Sequence, residues 1–148
     1  MLNIKNKKKR NISMIGLMGS GKSVIGREIS NICEFNFYDT DDEIEKKSGK
    51  TINDIFRENG EEYFRKIEED ICLDLLSKEN CVISLGGGSI INQKIRKIIR
   101  INSYCIYLEV KIDELAKRLK TSKKRPLLQN VNINEKLKEL YENRKDFY

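Results

Sequence analysis

The chain has 148 residues, enough for one domain with a hydrophobic core of its own. It has four cysteines without a C-x-x-C pair and no histidine, which argues against a disulfide framework or a transition-metal site and favours the reducing cytoplasm. The formal net charge is +6, but five of the 29 basic residues lie within residues 1–10, leaving 24 basic against 23 acidic residues. We therefore interpret residues 1–10 as a basic leader and not as a nucleic-acid site, and no apolar run is long enough to cross a membrane.

The first predicted elements are a strand, a glycine loop and a helix. Residues 12–15 are largely apolar, and residues 16–23 follow with the spacing G-x-x-x-x-G-K-S of a phosphate-binding P-loop. The glycines let backbone N–H groups surround phosphate oxygens, and the helix N-terminus adds positive charge. Lys22 is then placed to reach the β- and γ-phosphates, and Ser23 to ligate Mg²⁺. The alternative, a glycine turn that only joins a strand to a helix, is disfavoured by the strand before it and the Lys-Ser pair in register.

Nucleotide contacts are expected along the loop and at the start of the helix. They are assigned to Gly16, Gly19, Ser20, Gly21, Lys22, Ser23 and Val24. Apolar residues at positions 24, 25, 29 and 32 extend the predicted helix to residue 32. A short strand is predicted at residues 35–38, before an acidic segment, and Thr40 with Glu43 predicts a capping box for the next helix, which ends at Ser48 and Gly49.

The central part of the chain predicts two consecutive helices and a buried strand. Thr51 and Asp54 form a second cap, and Asn59-Gly60 closes the short helix that follows. Residues 61–78 have apolar side chains on one face and predict a long helix. Residues 81–85 predict a buried strand that enters Gly86, Gly87 and Gly88, where another molecule can approach the backbone closely.

The last third predicts three helices and one strand. The helices are expected at residues 92–101, around the apolar stripe of residues 112–119, and from about residue 134, and the strand at residues 104–108. The polar, basic residues 121–126, which include the only proline, predict a mobile loop.

Strands that alternate with helices predict a parallel sheet with helices on both faces. Ligands of such sheets bind at the carboxyl ends of the strands. Three of these ends carry candidate groups: the P-loop, the pair Asp39 and Asp41, and the triple glycine. We expect one domain over residues 11–148.

The P-loop alone indicates only a nucleoside triphosphate. The D-x-x-G and N-K-x-D motifs of GTPases do not occur, and the chain is too short for a motor or transport ATPase. A kinase of small molecules or nucleotides remains.

The chain resembles the shikimate kinase family along almost its whole length. The resemblance rests on the order and spacing of six segments: residues 16–23, Asp39-Thr40-Asp41 with Ile44-Glu45, residues 64–68 (FRKIE), residues 85–88 (LGGG), residues 125–128 (RPLL), and Arg144 with Tyr148. Each segment is weak alone beyond the P-loop, but together they are specific.

The resemblance implies the fold and the activity. It implies a P-loop kinase with a three-layer α/β sandwich, a substrate-binding insertion at about residues 40–70 and a lid at about residues 120–132. The implied reaction is transfer of the γ-phosphoryl group of ATP to the 3-hydroxyl of shikimate in aromatic amino acid biosynthesis. Mg²⁺ is the implied cofactor, and we expect a cytoplasmic monomer without nucleic-acid or membrane partners. Family members continue into a fifth strand and a closing helix, and this chain ends first.

The resemblance also implies roles for individual residues. Lys22, Asp41 and Arg125 would be catalytic, and Asp39 would join Ser23 at Mg²⁺, through water. Shikimate would be bound by Asp41, Arg65, Gly86, Gly87, Gly88 and Arg144, with the two arginines on its carboxylate. Arg118 would lie against adenine, and Arg125 in the lid would also contact ATP.

Several of these residues have structural alternatives. Asp39 and Asp41 could simply favour a helix N-terminus, Arg65 could form a surface ion pair with Glu68 or Glu69, and Arg125 could belong to a solvated basic turn. Arg144 is different, because it continues an apolar stripe and a charge aimed inward needs a partner.

Three other functions remain possible on sequence alone. They are a gluconate- or nucleotide-type kinase, a nucleotide-binding P-loop module without activity, and a nucleic-acid binder that uses the basic residues of the leader. The combination of Asp39-Thr40-Asp41, the triple glycine and Arg125-Pro126 argues against the first.

Overall fold

The computed structural model describes residues 9–120 and 126–148, which form four strands and six helices. The strands are β1 (Asn11–Ile15), β2 (Asn36–Asp39), β3 (Cys81–Ser84) and β4 (Ser103–Tyr107). The helices are α1 (Lys22–Cys33), α2 (Thr40–Ser48), α3 (Ile52–Ser77), α4 (Gln93–Asn102), α5 (Ile112–Leu119) and α6 (Ile133–Glu142). Single 3-10 turns cover Ser89–Ile91, Pro126–Leu128 and Lys145–Phe147.

The four strands form one parallel sheet in the order β2-β3-β1-β4. Ile12 is in register with Val82 on β3 and with Tyr104 on β4. Because all strands run the same way, their carboxyl ends meet at one edge, where the P-loop follows β1, Asp39 ends β2 and the triple glycine comes shortly after β3. The predicted α/β architecture is confirmed.

Helices cover both faces of this sheet. Met14 and Val82 face α1, whereas their neighbours Ile15 and Ile83 belong to the large core cluster formed with α3 and α4. This split follows from the alternation of side chains along a strand. A second cluster joins the residues after β1 to α5 and α6, so the C-terminal helices close over the carboxyl edge of the sheet.

Helix α1 forms where predicted, but it buries a different face. Its buried residues are Lys22, Gly26 and Ser30, whereas Val24 is 71% exposed and Ile32 is 81% exposed. The reason is close packing: a Cβ on Gly26 would lie 3.0 Å from the Phe37 ring. The apolar residues of this segment therefore identified a helix and not its buried side.

The predicted capping box of α2 is wrong. The cap is Asp39, whose carboxylate accepts a hydrogen bond from the Asp41 N–H at 3.0 Å. Thr40 is the first helical residue, and its hydroxyl oxygen accepts from the Gly86 N–H at 2.8 Å. The tertiary partner wins because Thr40 is completely buried against the turn after β3.

Helix α3 combines the two helices predicted for this region. The Thr51 hydroxyl caps its start, as expected, by accepting from the Asp54 N–H. Gly60 interrupts the helical backbone with φ 82° and ψ 175°, a left-handed conformation that suits glycine. The break predicted at Asn59-Gly60 is therefore a kink between two helical segments that directly follow each other.

Two predicted features fall partly outside the described residues. Residues 1–8 of the leader and residues 121–125 of the lid, including Arg125, lie there. Among the described helices, none combines the length and the apolar character that a membrane span requires. The four cysteines are free thiols.

Candidate active site

The P-loop lies at the carboxyl end of β1 and leads directly into α1. Gly16, Gly19 and Gly21 have φ values of 145°, 78° and 94°, where a side chain would strain the backbone. A Cβ on Gly16 would also lie 2.7 Å from the Leu108 carbonyl oxygen. The glycines at these three positions are thus required by the loop conformation.

Lys22 is folded back over this loop. Its ammonium group donates to the carbonyl oxygens of Gly16 and Leu17, each at 2.9 Å, and the side chain is buried. The sequence placed Lys22 at the first turn of α1, and the structure places its charge in the centre of the loop. The Lys22 ammonium therefore lies where it could contact a phosphate bound by the loop.

Ser23 links the P-loop to the ends of β2 and β3. Its hydroxyl donates to the Asp39 carboxylate and lies 3.2 Å from the Ser84 hydroxyl. Asp39 and Ser23 thus present oxygen atoms side by side at the sheet edge. Ser84 was not predicted to belong to this site. Its only signal in the sequence was a polar residue at the end of a buried strand.

Asp41 and Gly86 lie together at the next position along this edge. A Cβ on Gly86 would lie 3.2 Å from the Asp41 carboxylate and 2.6 Å from that of Glu68. The Gly86 N–H is already directed at Thr40. Of the three glycines predicted to contact substrate, Gly86 therefore connects the turn after β3 to the start of α2 through its backbone N–H.

Arg65 is held by two carboxylates of its own helix. It donates to Glu68 at 2.7 Å and to Glu61 at 3.0 Å. Glu68 is only 3% exposed and also accepts from the Ser89 hydroxyl at 2.8 Å. Burial acts to lower the pKa of Arg65, but the two carboxylates outweigh it and raise the pKa. The ion pair with Glu68 named in the alternative interpretation does form, but it is partly buried because the Glu68 side chain is only 3% exposed.

Arg144 is a buried cation at the end of α6. It is 2% exposed, and its Nε and Nη1 atoms have no hydrogen-bond partner among the described residues. Burial lowers the pKa of its guanidinium, and the nearby positive charge of Arg65 adds to this effect, whereas Tyr148 and Glu68 oppose it. The Tyr148 hydroxyl lies nearby but outside hydrogen-bond geometry. The inward direction predicted for Arg144 is correct, and the expected partner is not supplied by the described protein groups.

Arg65, Arg144 and Asp41 line one pocket beside the P-loop. Gly88 forms part of the same wall, and a Cβ there would lie 2.5 Å from the Arg65 guanidinium. Apolar side chains complete the lining, namely Met18, Ile52, Phe56, Phe64 and Leu127. The pocket therefore combines a cationic end, a carboxylate and an apolar wall, which suits a small hydroxylated anion.

A second, shallow groove lies on the other side of the P-loop. It is lined by Ser20, Gly21, Val24 and Arg118, together with the residues that follow β4. Arg118 donates to the Gly19 carbonyl oxygen at 3.2 Å and to Glu114 at 3.2 Å. Four of the nucleotide residues predicted from sequence thus line this groove, and Arg125 lies outside the described residues.

Sequence reasoning missed the residues that support the site. Glu68 and Ser89 belong to this group, and Phe56, Phe64 and Leu127 line the pocket without having been predicted to do so. Glu68 was recognisable only as a possible ion-pair partner of Arg65. The aromatic side chains lay on apolar faces that pattern analysis assigns to a core.

Comparison with known proteins gives a consistent result. The family model described as shikimate kinase matches residues 18–148. A shikimate kinase of Bartonella quintana is 43% identical over 140 residues, covering 95% of this chain and 67% of the relative. One of Alteromonas mediterranea is 40% identical over 140 residues, covering 95% and 82%.

Solved structures agree with this assignment. A shikimate kinase from Acinetobacter baumannii in complex with shikimate superposes with a TM-score of 0.92 at 34% identity, covering 97% of this chain and 80% of that one. The enzyme from Aquifex aeolicus gives 0.80 at 38% identity, covering 93% and 81%. A gluconokinase from Sinorhizobium meliloti reaches 0.55 at 21% identity, covering 90% and 74%, and shares the fold alone.

Proposed function

The chain belongs to the shikimate kinase family, and from this premise we propose that it transfers the γ-phosphoryl group of ATP to the 3-hydroxyl of shikimate. The products would be shikimate 3-phosphate and ADP, in the route to aromatic amino acids. The observation that carries this proposal is Arg144, a buried guanidinium in the pocket of Arg65 and Asp41, beside the P-loop, whose Nε and Nη1 atoms find no partner within residues 9–120 and 126–148. A carboxylate is the group that such a cation binds best.

The nucleotide phosphates are proposed to bind in the P-loop. The glycine conformations would let backbone N–H groups turn toward phosphate oxygens, and the N-terminus of α1 would add its positive end. Lys22 would exchange its two carbonyl acceptors for the β- and γ-phosphate oxygens. Arg118 and Val24 line the neighbouring groove, where we place the adenosine part.

We propose that Ser23 and Asp39 hold Mg²⁺, Asp39 through water. Hydroxyl and carboxylate oxygens suit this ion, which takes few protein ligands and keeps water and substrate phosphates in its shell. The described residues contain no cluster of three His, Cys, Asp or Glu side chains suited to a metal, so an ion held by the protein alone is not part of the proposal. When bound, Mg²⁺ would reduce the negative charge on the phosphates.

The acceptor would be oriented by charge at one end and by Asp41 at the other. Arg65 and Arg144 would bind the shikimate carboxylate, and the wall of Gly87 and Gly88 would lie against the ring. Asp41 would accept the proton of the 3-hydroxyl while the oxygen of that hydroxyl forms a bond to the γ-phosphorus. The bond from phosphorus to the bridging oxygen breaks in the same step, and ADP leaves with those electrons.

Three further parts of the proposal rest on the family resemblance. Arg125 would cross to the transferring phosphoryl group as part of the lid at residues 120–132. The enzyme would act as a monomer in the cytoplasm, which size-exclusion chromatography with light scattering can check for the oligomeric state. Deletion of residues 1–10 should leave activity unchanged, because the leader has no catalytic role.

A coupled assay of ADP release tests the proposed reaction. We expect Mg²⁺-dependent ADP formation that requires shikimate and is not supported by gluconate or a nucleoside monophosphate. Equal slow release with and without shikimate would indicate a nucleotide-binding module. Turnover with gluconate alone would assign the chain to another small-molecule kinase activity.

A further inference from the structure

The turn that carries Arg144 is short and internally hydrogen-bonded. The Arg144 N–H donates to the Tyr141 carbonyl oxygen at 3.0 Å, and the Phe147 N–H donates to the Arg144 carbonyl oxygen at 2.9 Å. Phe147 is thus one 3-10 turn away from Arg144 and bonded to its backbone. A side chain that holds Phe147 therefore also limits where the Arg144 backbone can move.

Arg96 on α4 makes this contact. The carbon at the centre of its guanidinium lies 4.1 Å from the centroid of the Phe147 ring. The same group donates from Nη1 to the carbonyl oxygens of Ile90 and Ile91, at 2.8 Å and 2.6 Å. The planar guanidinium can do both at once, because its edge carries N–H donors and its face stacks on a ring.

Arg96 joins the 3-10 turn at residues 89–91 to the turn that contains Phe147. Each of these segments is close to one of the two arginines proposed to bind the shikimate carboxylate. The 3-10 turn Ser89–Ile91 directly follows the triple glycine. Within that glycine segment, Gly88 abuts the Arg65 guanidinium and Gly87 lies against that of Arg144. Arg96 therefore links the wall behind both guanidinium groups to the backbone turn that carries Arg144.

We propose that Arg96 is a positioning residue for the acceptor, acting through Phe147 on Arg144. It fixes the spacing between Arg65 and Arg144, and so the geometry in which both reach one carboxylate. This inference rests on the proposed function of the same pocket. Charge pairing does not account for Arg96, since it forms no ion pair with any carboxylate in residues 9–120 or 126–148.

Kinetics of three variants test the proposal. Arg96→Ala should raise the KM for shikimate about tenfold, because small misplacements of positioning groups are costly, while kcat and the KM for ATP change by less than about twofold. Arg96→Lys should recover only part of the loss, since an ammonium can donate to the two carbonyl oxygens but has no planar face to stack on Phe147 at the same time. Arg100→Ala, an exposed arginine on the same helix, is the matched control and should resemble wild type.

A neutral shikimate analogue separates positioning from general stability. With a hydroxymethyl group in place of the carboxylate, Arg96→Ala should cost no more than about twofold, because the spacing of the two arginines then matters little. Phe147→Ala should mimic Arg96→Ala, and the double variant should be no worse than either single one. If Arg96→Ala does not fold, Arg96→Lys and Phe147→Leu carry the same comparison.

The outcomes are distinct. An unchanged KM for shikimate in active Arg96→Ala overturns the inference, and so does an equal rise in the KM values for ATP and shikimate. An equal penalty on the neutral analogue also overturns it. Absence of shikimate-dependent turnover in the wild-type protein would instead overturn the proposed function.

Discussion

The P-loop and the pocket of Asp41, Arg65 and Arg144, called the acceptor pocket below, lie side by side but are built in opposite ways. The loop is one stretch of eight residues, and its shape is set by three glycines with positive φ and by carbonyl groups that hold Lys22. The acceptor pocket takes Asp41 from α2, Arg65 from α3 and Arg144 from the end of α6. The first region therefore depends on local backbone conformation, and the second on long-range packing.

The charged side chains of the two regions also differ in where their partners come from. The Lys22 ammonium is met by two carbonyl groups of its own loop. In the pocket, Arg65 is paired with carboxylates, while Arg144 carries buried N–H groups with no acceptor among the described residues. A buried cation with N–H groups that lack acceptors costs folding free energy, so we expect Arg144 to lower the stability of the protein without ligand. Such a cost is typical of a binding site.

The largest expected effect is that of Asp41→Asn, which tests whether a residue of the acceptor side controls the chemical step. General-base assistance contributes about 10²–10⁴-fold, so kcat should fall by a factor in that range, less if the transition state is loose. The KM values should change little. Asp42→Asn on the same turn is the control and should keep wild-type kcat. If Asp41→Asn also kept it, the helix N-terminus would be the better explanation of this carboxylate.

Lys22→Met removes the one charged side chain inside the loop. We expect kcat to fall about 10²–10³-fold, because a preorganised donor to developing charge is lost. The melting temperature should stay within a few degrees of wild type, since the Lys22 ammonium donates to carbonyl oxygens of its own loop. Lys117→Met, on the exposed face of α5, controls for loss of charge alone. A small effect on kcat would show that the loop acts through its backbone.

Variants of the two arginines sharpen the contrast between paired and unpaired charge. Arg65→Ala and Arg144→Ala should each weaken shikimate binding by roughly one to two orders of magnitude, since a charge-assisted contact contributes about 1.5–3 kcal/mol. The affinity for ATP should hardly change. Lysine should not rescue either position fully, because it lacks the planar fork.

The neutral hydroxymethyl analogue identifies the contact partner of Arg65. Wild type should lose affinity on going from shikimate to this analogue, and Arg65→Ala should lose much less. If both proteins lost the same factor, Arg65 would not touch the carboxylate, and its pair with Glu68 would be its main role.

The same two positions should respond oppositely in stability. Arg144→Met removes a buried cation whose Nε and Nη1 atoms have no acceptor among the described residues, and it should raise the free energy of unfolding without ligand by about 1 kcal/mol or more. Arg65→Met leaves the buried Glu68 carboxylate without its cation and should lower the free energy of unfolding by about 1–3 kcal/mol. Urea denaturation of both variants provides the measurement. Equal changes would mean that Arg144 is compensated as well as Arg65 is.

The smallest expected effect comes from Gly88→Ala, which alters the wall and no charge. The added Cβ would lie 2.5 Å from the Arg65 guanidinium, so this side chain must move. Because its far end is flexible, we expect the KM for shikimate to rise only about three- to tenfold, with ATP kinetics unchanged. An unaltered KM would show that Arg65 can reach the carboxylate from a shifted position.

Local patterns explain most of what the sequence predicted correctly. The P-loop, the cap at Thr51, the break at Gly60 and the stripe of α5 each depend on residues within one or two turns of each other. The alternation of strands and helices was enough for the parallel sheet and for its active edge. Family resemblance added the distant Arg65 and Arg144, which no local pattern connects.

Only the tertiary structure decided which polar groups those residues meet. Thr40 bonds to Gly86 instead of capping its own helix, and α1 buries Gly26 instead of its apolar residues, because each packs against a partner far away in sequence. By the same cause Arg65 has carboxylate partners and Arg144 has none among the described residues. Sequence determines which charges a chain carries, but whether a buried charge is compensated depends on neighbours that only the folded chain brings together.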